Sequence, residues 1–322
     1  MERNESFTDF FVLLAQDFLK EESFPSMVCA YAGGSVGRGE ADAHSDLDLN
    51  IIVEGKSDHT SENREFRGQI IQLHIHPAPI NETVYERPWS WRYIKEARLI
   101  YDPQGRYSTW FHFMRDYLDS EEGRGKMLEQ AKRDIDQYHD TASLALAEGF
   151  DYSAYLAAWA GWTCAVQMYA YFCKGTAADG WLFPLMKETG QWEVIERLLL
   201  ESYGAKQDVQ DRMGLIAAYR AYLRSQRDRD MFALDPLNDI LLRRKLERLR
   251  RQKEEGAAKF LLFSEAIWLY LCEDADQWLE NHWESLPRGL LLRLKELGFL
   301  QADEELINRL RIHSDEIIAT IC

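Results

Sequence analysis

The chain has 322 residues, of which 46% are hydrophobic and 29% are charged, a balance typical of globular proteins and not of disordered ones. Its length indicates two domains. Acidic residues outnumber basic ones by 54 to 38, which gives a formal net charge of -16 at pH 7. A surface with this charge repels phosphate backbones, so duplex nucleic acid is not an expected partner, whereas a cationic small molecule is favoured.

The cysteines and the apolar segments indicate a cytoplasmic protein. Cysteine occurs five times, an odd number, without a C-x-x-C pair, which favours free thiols over disulfide bonds or a zinc site. The first five residues are too polar for a signal peptide. The apolar stretch over residues 155–173 contains Thr163 and Gln167, so we expect the central helix of a helical bundle and no membrane span. The sequence leaves the oligomeric state open.

Helix and strand patterns alternate in the first third of the chain. Apolar residues at helical spacing predict a first helix over residues 6–18. Short runs of alternating apolar residues, bounded by glycine, proline and aspartate, predict four strands. These strands cover residues 27–32, 46–53, 66–76 and 98–101.

Only helical patterns remain after about residue 115. The predicted helices cover residues 125–148, 152–174, 192–203, 209–224, 237–254, 257–271, 287–297 and 302–318. The sequence therefore predicts an α+β fold. A small mixed sheet with flanking helices occupies residues 1–115, and an all-α helical-bundle domain occupies residues 116–322.

One segment, residues 33–48, joins a glycine-rich turn to two acidic residues. The glycines, Gly34 among them, let the backbone turn tightly and approach a ligand closely. The backbone N–H groups of such a turn bind phosphate oxygens, and the Ser35 hydroxyl and the Arg38 guanidinium add to them. The turn is therefore a predicted phosphate-binding element.

The two acidic residues are Asp46 and Asp48. Because they are two positions apart on a predicted strand, their side chains point to the same side. Carboxylates so close repel each other unless a cation lies between them, and hard divalent ions such as Mg2+ prefer oxygen ligands. A pair of metal ions can hold both the attacking and the leaving oxygen during a displacement at phosphorus. We therefore expect Asp46 and Asp48 to bind two Mg2+ ions.

This order of residues resembles the signature of the DNA polymerase beta-like nucleotidyltransferase superfamily, with Gly34-Ser35 after one strand and Asp46-x-Asp48 on the next. A small catalytic domain before a helical bundle is similar to the plan of the aminoglycoside (kanamycin-type) nucleotidyltransferases. The resemblance implies that residues 1–115 are catalytic and that residues 116–322 bind the acceptor substrate. It also implies that Ser35 and Arg38 contact a triphosphate and that Asp46 and Asp48 hold the metals.

The activity implied by the resemblance is metal-dependent transfer of a nucleoside monophosphate to a hydroxyl of a small acceptor, with release of pyrophosphate. ATP is the expected donor, and another nucleoside triphosphate is the alternative. An aminoglycoside-like polycation suits the acidic chain as the acceptor. Two other functions stay open. One is a nucleotide-binding module with little or no turnover, and the other is an enzyme that modifies a protein or an RNA end, as toxin-system relatives do.

The superfamily has a third carboxylate on the next strand, where this sequence has none. Gln72 is the best match, and it can coordinate a metal through its carbonyl oxygen but carries no charge. His74 on the same face is one candidate for the base that deprotonates the acceptor, with an ordinary pKa of about 6.5. Asp136 is the other, because some aminoglycoside enzymes place a base on the first helix of the second domain. The alternative interpretations are that His74 is an ordinary polar residue near a strand end and that Asp136 lies on a solvated helix face.

A basic run stands out in this acidic chain. Its members are Arg243, Arg244, Lys245, Arg248, Arg250, Arg251 and Lys253. Leucines at helical spacing between them predict an amphipathic helix whose basic residues form the solvated face. An RNA or an acidic protein partner is the alternative, and it is the support for the toxin-system type of enzyme.

Overall fold

The computed structural model describes residues 2–55, 58–79, 81–178, 182–188, 190, 209–226, 231–274 and 276–321. The chain divides into two compact units. The first is Met1–Gln130 with Asp235–Lys245, and the second is Ala131–Leu234 with Leu246–Cys322. The predicted helix over residues 192–203 lies outside the described residues.

A five-stranded mixed sheet organises the first unit. Its strands are β1 Met27–Ala32, β2 Leu47–Val53, β3 Thr60–Phe66, β4 Gln69–Pro77 and β5 Arg98–Tyr101. The strand order is β3-β4-β2-β1-β5. β2 and β4 are parallel, and the other neighbouring strands pair antiparallel. The predicted α+β class with a small mixed sheet is confirmed.

One face of the sheet is apolar because alternate residues of β2 and β4 are aliphatic. These buried residues are Leu47, Leu49, Ile51, Ile71 and Leu73. Helix α1, Glu2–Glu21, packs against them through Phe11 and Leu14. The residues between the aliphatic positions point to the opposite face, which is where Asp48 and Gln72 lie.

The strand predicted over residues 66–76 is wrong at its start, because the chain turns there. Phe66 ends β3 and Gln69 begins β4. Between them Arg67 and Gly68 have φ values of 49° and 76°. Two consecutive positive φ values are typical of a two-residue hairpin turn. The sequence does not predict β3, because apart from Phe66 its residues are polar on both sides.

Short helices surround the sheet in the first unit. They are α2 Gly34–Arg38, α3 Asn81–Glu86, a 3-10 helix at Pro88–Glu96, and α4 Arg106–Asp119. The packing of α2 requires a glycine at position 37, since a Cβ there would lie 2.5 Å from Glu96 O and 2.8 Å from Ala32 O. This close approach seats α2 directly at the end of β1.

The rest of the described chain is helical, and no described residue after β5 is in a strand. The elements are α5 Glu121–Ala147, α6 Asp151–Lys174, α7 Leu182–Glu188, α8 Val209–Ser225, a 3-10 helix at Phe232–Leu234, α9 Leu237–Arg251, α10 Glu255–Asp274, α11 Leu279–Glu284, α12 Arg288–Lys295 and α13 Glu304–Ala319. Within the second unit, α6 packs against α13. Among the described helices, none is both long and apolar enough to cross a membrane.

The first unit extends past residue 115, where the sequence pattern places the end of the catalytic domain. Gln130 explains part of the extension, because its Oε1 accepts from Trp89 N at 2.9 Å and its Nε2 donates to Ser90 Oγ at 3.1 Å. The segment Asp235–Lys245 belongs to this unit as well, and Asn238 Oδ1 accepts there from Asn63 Nδ2 at 3.2 Å. Bonds between residues this far apart in the chain leave no local pattern in the sequence.

Candidate active site

The glycine-rich turn forms the start of α2 and lies directly against β2. Gly33 N donates to Asp48 O at 2.8 Å. Gly34 has a φ of 55°, and a Cβ at this residue would lie 1.9 Å from Asp48 Oδ2. Only glycine fits here, because the conformation is left-handed and the Asp48 carboxylate occupies the space of a side chain. The turn and the acid are therefore parts of one site.

Ser35 is fixed to the loop that leads into β2. Its Oγ donates to Ser45 Oγ at 3.1 Å. Ser45 Oγ also accepts from Asp42 N at 2.9 Å and lies 3.3 Å from Asp42 Oδ1. Because Ser45 is buried, this network holds the residue just before Asp46 in place. The structure thus brings Gly34, Ser35 and the two acids together.

Arg38 lies at the end of α2 between two glutamates. Its Nε donates to Glu40 Oε2 at 2.8 Å, and its Nη1 donates to Glu96 Oε2 at 3.3 Å. Burial acts to lower the pKa of Arg38, but the hydrogen bonds and charges of Glu40 and Glu96 outweigh it, and the net pKa is raised. A phosphate bound at Arg38 must compete with these two carboxylates.

Asp46 and Asp48 face a common point on the polar side of the sheet. The register of β2 and β4 places Asp48 opposite Gln72. With its amide nitrogen turned toward the acids, Gln72 Nε2 donates to Asp46 Oδ2 at 3.0 Å and to Asp48 Oδ1 at 3.2 Å. Hydrogen-bonding partners decide the orientation of an amide, and these two favour nitrogen toward the acids. One neutral atom therefore bridges both carboxylates.

The positive charges near the two acids do not fully compensate their negative charges. Burial raises the pKa of Asp48 above the usual aspartate value, and the neighbouring charge of Asp46 raises it further. The charges of Lys245 and Arg38 oppose this rise without cancelling it. A cation placed between the carboxylates would be favoured, because it stabilises the ionised form of both.

The oxygen atoms at this point fit a hard divalent cation. With the Gln72 amide turned the other way, its oxygen takes the position 3.0 Å from Asp46 Oδ2 and 3.2 Å from Asp48 Oδ1. Two carboxylates and one carbonyl oxygen are ligands of the kind that Mg2+ prefers. No three His, Cys, Asp or Glu residues of the described ranges are arranged to hold a metal ion. The fit therefore depends on the Gln72 oxygen.

Lys245 brings a positive charge to the site that the sequence does not assign to it. Its Nζ lies 3.4 Å from Asp46 Oδ2. The lysine belongs to α9 and to the basic run, and the buried residues Leu241, Leu242 and Leu246 confirm the predicted apolar face of that helix. A lysine within a basic run is a weak signal, since no spacing in the sequence relates it to Asp46.

His74 lies two residues after Gln72 on β4, on the same face of the sheet. Its Nδ1 forms a hydrogen bond with Ser61 Oγ at 2.9 Å. Burial, with a smaller contribution from His59, lowers the pKa of His74 to about 4 against the opposing charge of Asp46. This value is well below the ordinary histidine pKa, so His74 is neutral at pH 7 but a weak base.

Asp136 is an exposed residue of α5 in the second unit. Together with Arg133, Gln137 and Asp140 it lines a shallow depression of about 400 Å³. The assignment of Asp136 as the base for the acceptor hydroxyl stays a prediction.

Comparison with known proteins adds one structural likeness. No protein-family profile matches the chain, and no curated protein matches it. Among solved structures, the chain is similar to a nucleotidyltransferase-like protein from Exiguobacterium sibiricum 255-15, with 12% sequence identity and a TM-score of 0.34. The match covers 77% of this chain and 91% of that chain. A likeness this distant defines no family, so the function is argued from the residues of this chain.

The raised pKa of Asp48 predicts a pH-dependent effect of Asp48→Asn on stability. The folded protein holds a proton on Asp48 at pH values where the unfolded chain has released it, so the free energy of unfolding falls as pH rises through this window. Asparagine does not ionise, so the free energy of unfolding of the variant does not fall in this pH range. We expect the free energy of unfolding of Asp48→Asn to exceed that of the wild type at pH 8 by more than about 1 kcal/mol, the value of one pKa unit, and to lose this advantage at pH 4.

Urea unfolding at the two pH values measures this difference. Glu86→Gln, which removes one charge from an exposed position of the same unit, is the control and should show no such dependence. A stability difference between Asp48→Asn and wild type that is the same at pH 4 and pH 8 would contradict the electrostatic account.

Proposed function

We propose that this protein is a nucleotidyltransferase that binds a nucleoside triphosphate, ATP by preference, with Mg2+ and joins the nucleoside monophosphate to a hydroxyl of a small acceptor. The observation that carries the proposal is the meeting of Gly34, Asp46, Asp48 and Gln72 at one point. A tight glycine turn beside two neighbouring carboxylates suits a phosphate chain that arrives with a metal ion.

Each side chain has a part in binding the donor. Asp46, Asp48 and the Gln72 oxygen would hold the divalent ion. When bound there, Mg2+ supplies Lewis acidity to the phosphate oxygens. The Ser35 hydroxyl contacts a phosphate oxygen. Arg38 releases one of its two glutamate partners and forms a charge-assisted hydrogen bond to a phosphate oxygen instead.

In the transfer, the acceptor oxygen forms a bond to the α-phosphorus, and the bond from this phosphorus to the bridging oxygen of pyrophosphate breaks. Pyrophosphate leaves with the electron pair, and the hydroxyl proton passes to a base. His74 accepts a proton poorly because its pKa is lowered to about 4, and Asp136 is the other base that we propose. The net charge of -16 supports a cationic acceptor, such as an aminoglycoside-like polycation, bound by the helical part of the chain.

A second candidate function is a nucleotide-binding module with little turnover. Two observations favour it: Gln72 brings no charge to the acids, and Lys245 already lies 3.4 Å from Asp46 Oδ2. A site with less negative charge binds divalent ions more weakly. A nucleotide can then bind there while its transfer is slow. Modification of a protein or an RNA end has only the basic run on α9 as its support.

Asp46→Asn and Asp48→Asn test the enzymatic proposal. Each substitution removes a charged metal ligand, so we expect transfer to fall by about a thousandfold or more. The measurement is pyrophosphate release with ATP and Mg2+, together with the mass of hydroxyl acceptors that include an aminoglycoside. Glu86→Gln should keep the wild-type rate. Undiminished transfer in either aspartate variant would contradict the assigned metal ligands.

Gln72→Glu separates the two candidate functions. A glutamate restores a third negative charge beside Asp46 and Asp48, so an enzyme weakened by the amide should gain about tenfold or more in transfer rate. Gln69→Glu adds the same charge at the start of β4 and should produce no gain. If calorimetry shows that the wild type and Gln72→Glu both bind ATP with Mg2+, and neither of them transfers the nucleotide, the binding module is favoured.

A further inference from the structure

The contact between Lys245 and Asp46 gives the carboxylate site a cation of its own. Lys245 Nζ lies 3.4 Å from Asp46 Oδ2, with 10% of the Asp46 side chain exposed and 40% of the Lys245 side chain exposed. The lysine charge therefore acts on a mostly buried acid while its own side chain keeps access to solvent. Water screens such a pair less than it screens an ion pair between two exposed side chains.

The position of Lys245 is built into the fold of the first unit. α9 carries Asn238 two turns before Lys245, and a spacing of seven residues places both on the same side of a helix. Asn238 is 5% exposed, and its Oδ1 accepts from Asn63 Nδ2 of β3 at 3.2 Å, where Asn63 is 8% exposed. This buried hydrogen bond holds the start of α9 on the sheet, so the lysine reaches Asp46 from an anchored helix.

The charges at the site limit how many metal ions it can hold. Asp46 and Asp48 supply two negative charges, and the Gln72 amide supplies none. In the nucleotide-free protein one divalent ion matches the two carboxylates, whereas two divalent ions beside Lys245 would bring five positive charges to two negative ones. The same lysine competes with any cation for Asp46 Oδ2 in the nucleotide-free protein.

We propose that Lys245 is a resident cation of the carboxylate pair and that it competes with a divalent ion for Asp46. Without nucleotide the site then holds one divalent ion, and the ion must displace the lysine from Asp46 to enter. This inference rests on the proposed metal-dependent function, and it sets the number of metal ions at one before the nucleotide binds.

A manganese titration of the nucleotide-free full chain, followed by electron paramagnetic resonance of free Mn2+, tests the proposal. The wild type should bind one Mn2+ per chain. Lys245→Met, which removes the charge and keeps most of the side-chain length, should bind Mn2+ about tenfold more tightly. Lys245→Arg keeps the charge and should stay close to the wild type. Arg243→Met removes a charge from an exposed position of the same helix and should change the affinity much less, because solvent screens an exposed charge.

The outcomes separate this inference from the function on which it rests. Equal Mn2+ affinities for the wild type and Lys245→Met, or two ions of similar affinity in the wild type, would overturn the role of Lys245. Wild-type affinity in Asp46→Asn and Asp48→Asn would instead overturn the metal site itself. Tighter binding in Lys245→Met that is lost when Asp46→Asn is added would support both.

Discussion

Mutual repulsion between Asp46 and Asp48 is the constraint on which the rest of the site depends. Both carboxylates lie within reach of a single amide atom, at 3.0 and 3.2 Å, and burial prevents water from screening their charges fully. The protein offsets the repulsion with a hydrogen-bond donor, Gln72, and with a positive charge, Lys245. Both are weaker partners for two carboxylates than a divalent ion, which is why we propose that a divalent ion binds here.

The sheet creates this constraint through its register. Because β2 and β4 are parallel and Asp48 is opposite Gln72, the aliphatic residues on either side of each polar one turn to the core, and the polar side chains must share the other face. Gly34 then brings α2 against Asp48, where any larger residue would collide with the carboxylate. The glycine-rich turn and the pair of acids thus become neighbours by the packing of two strands and one short helix.

The sequence predicts those parts of the site that neighbouring residues determine. Alternation in β2 is local, so the common orientation of Asp46 and Asp48 follows from their spacing, and the aliphatic residues of β4 identify the side on which Gln72 lies. The sequence does not predict the edge strand Thr60–Phe66, because its residues other than Phe66 are polar and show no alternation of apolar and polar side chains. The contacts of Lys245 with Asp46 and of Asn238 with Asn63 escape prediction because they join distant parts of the chain. The pKa of His74 depends on burial that only the fold creates.

The most direct test of the account is a crystal structure with Mn2+ and a non-hydrolysable ATP analogue, with the manganese located by its anomalous scattering. We predict a manganese peak about 2.2 Å from carboxylate oxygens of Asp46 and Asp48, with the triphosphate beside Gly34 and Ser35. A manganese ion or a triphosphate bound elsewhere on the chain, with the two aspartates still paired to Gln72 and Lys245, would contradict it.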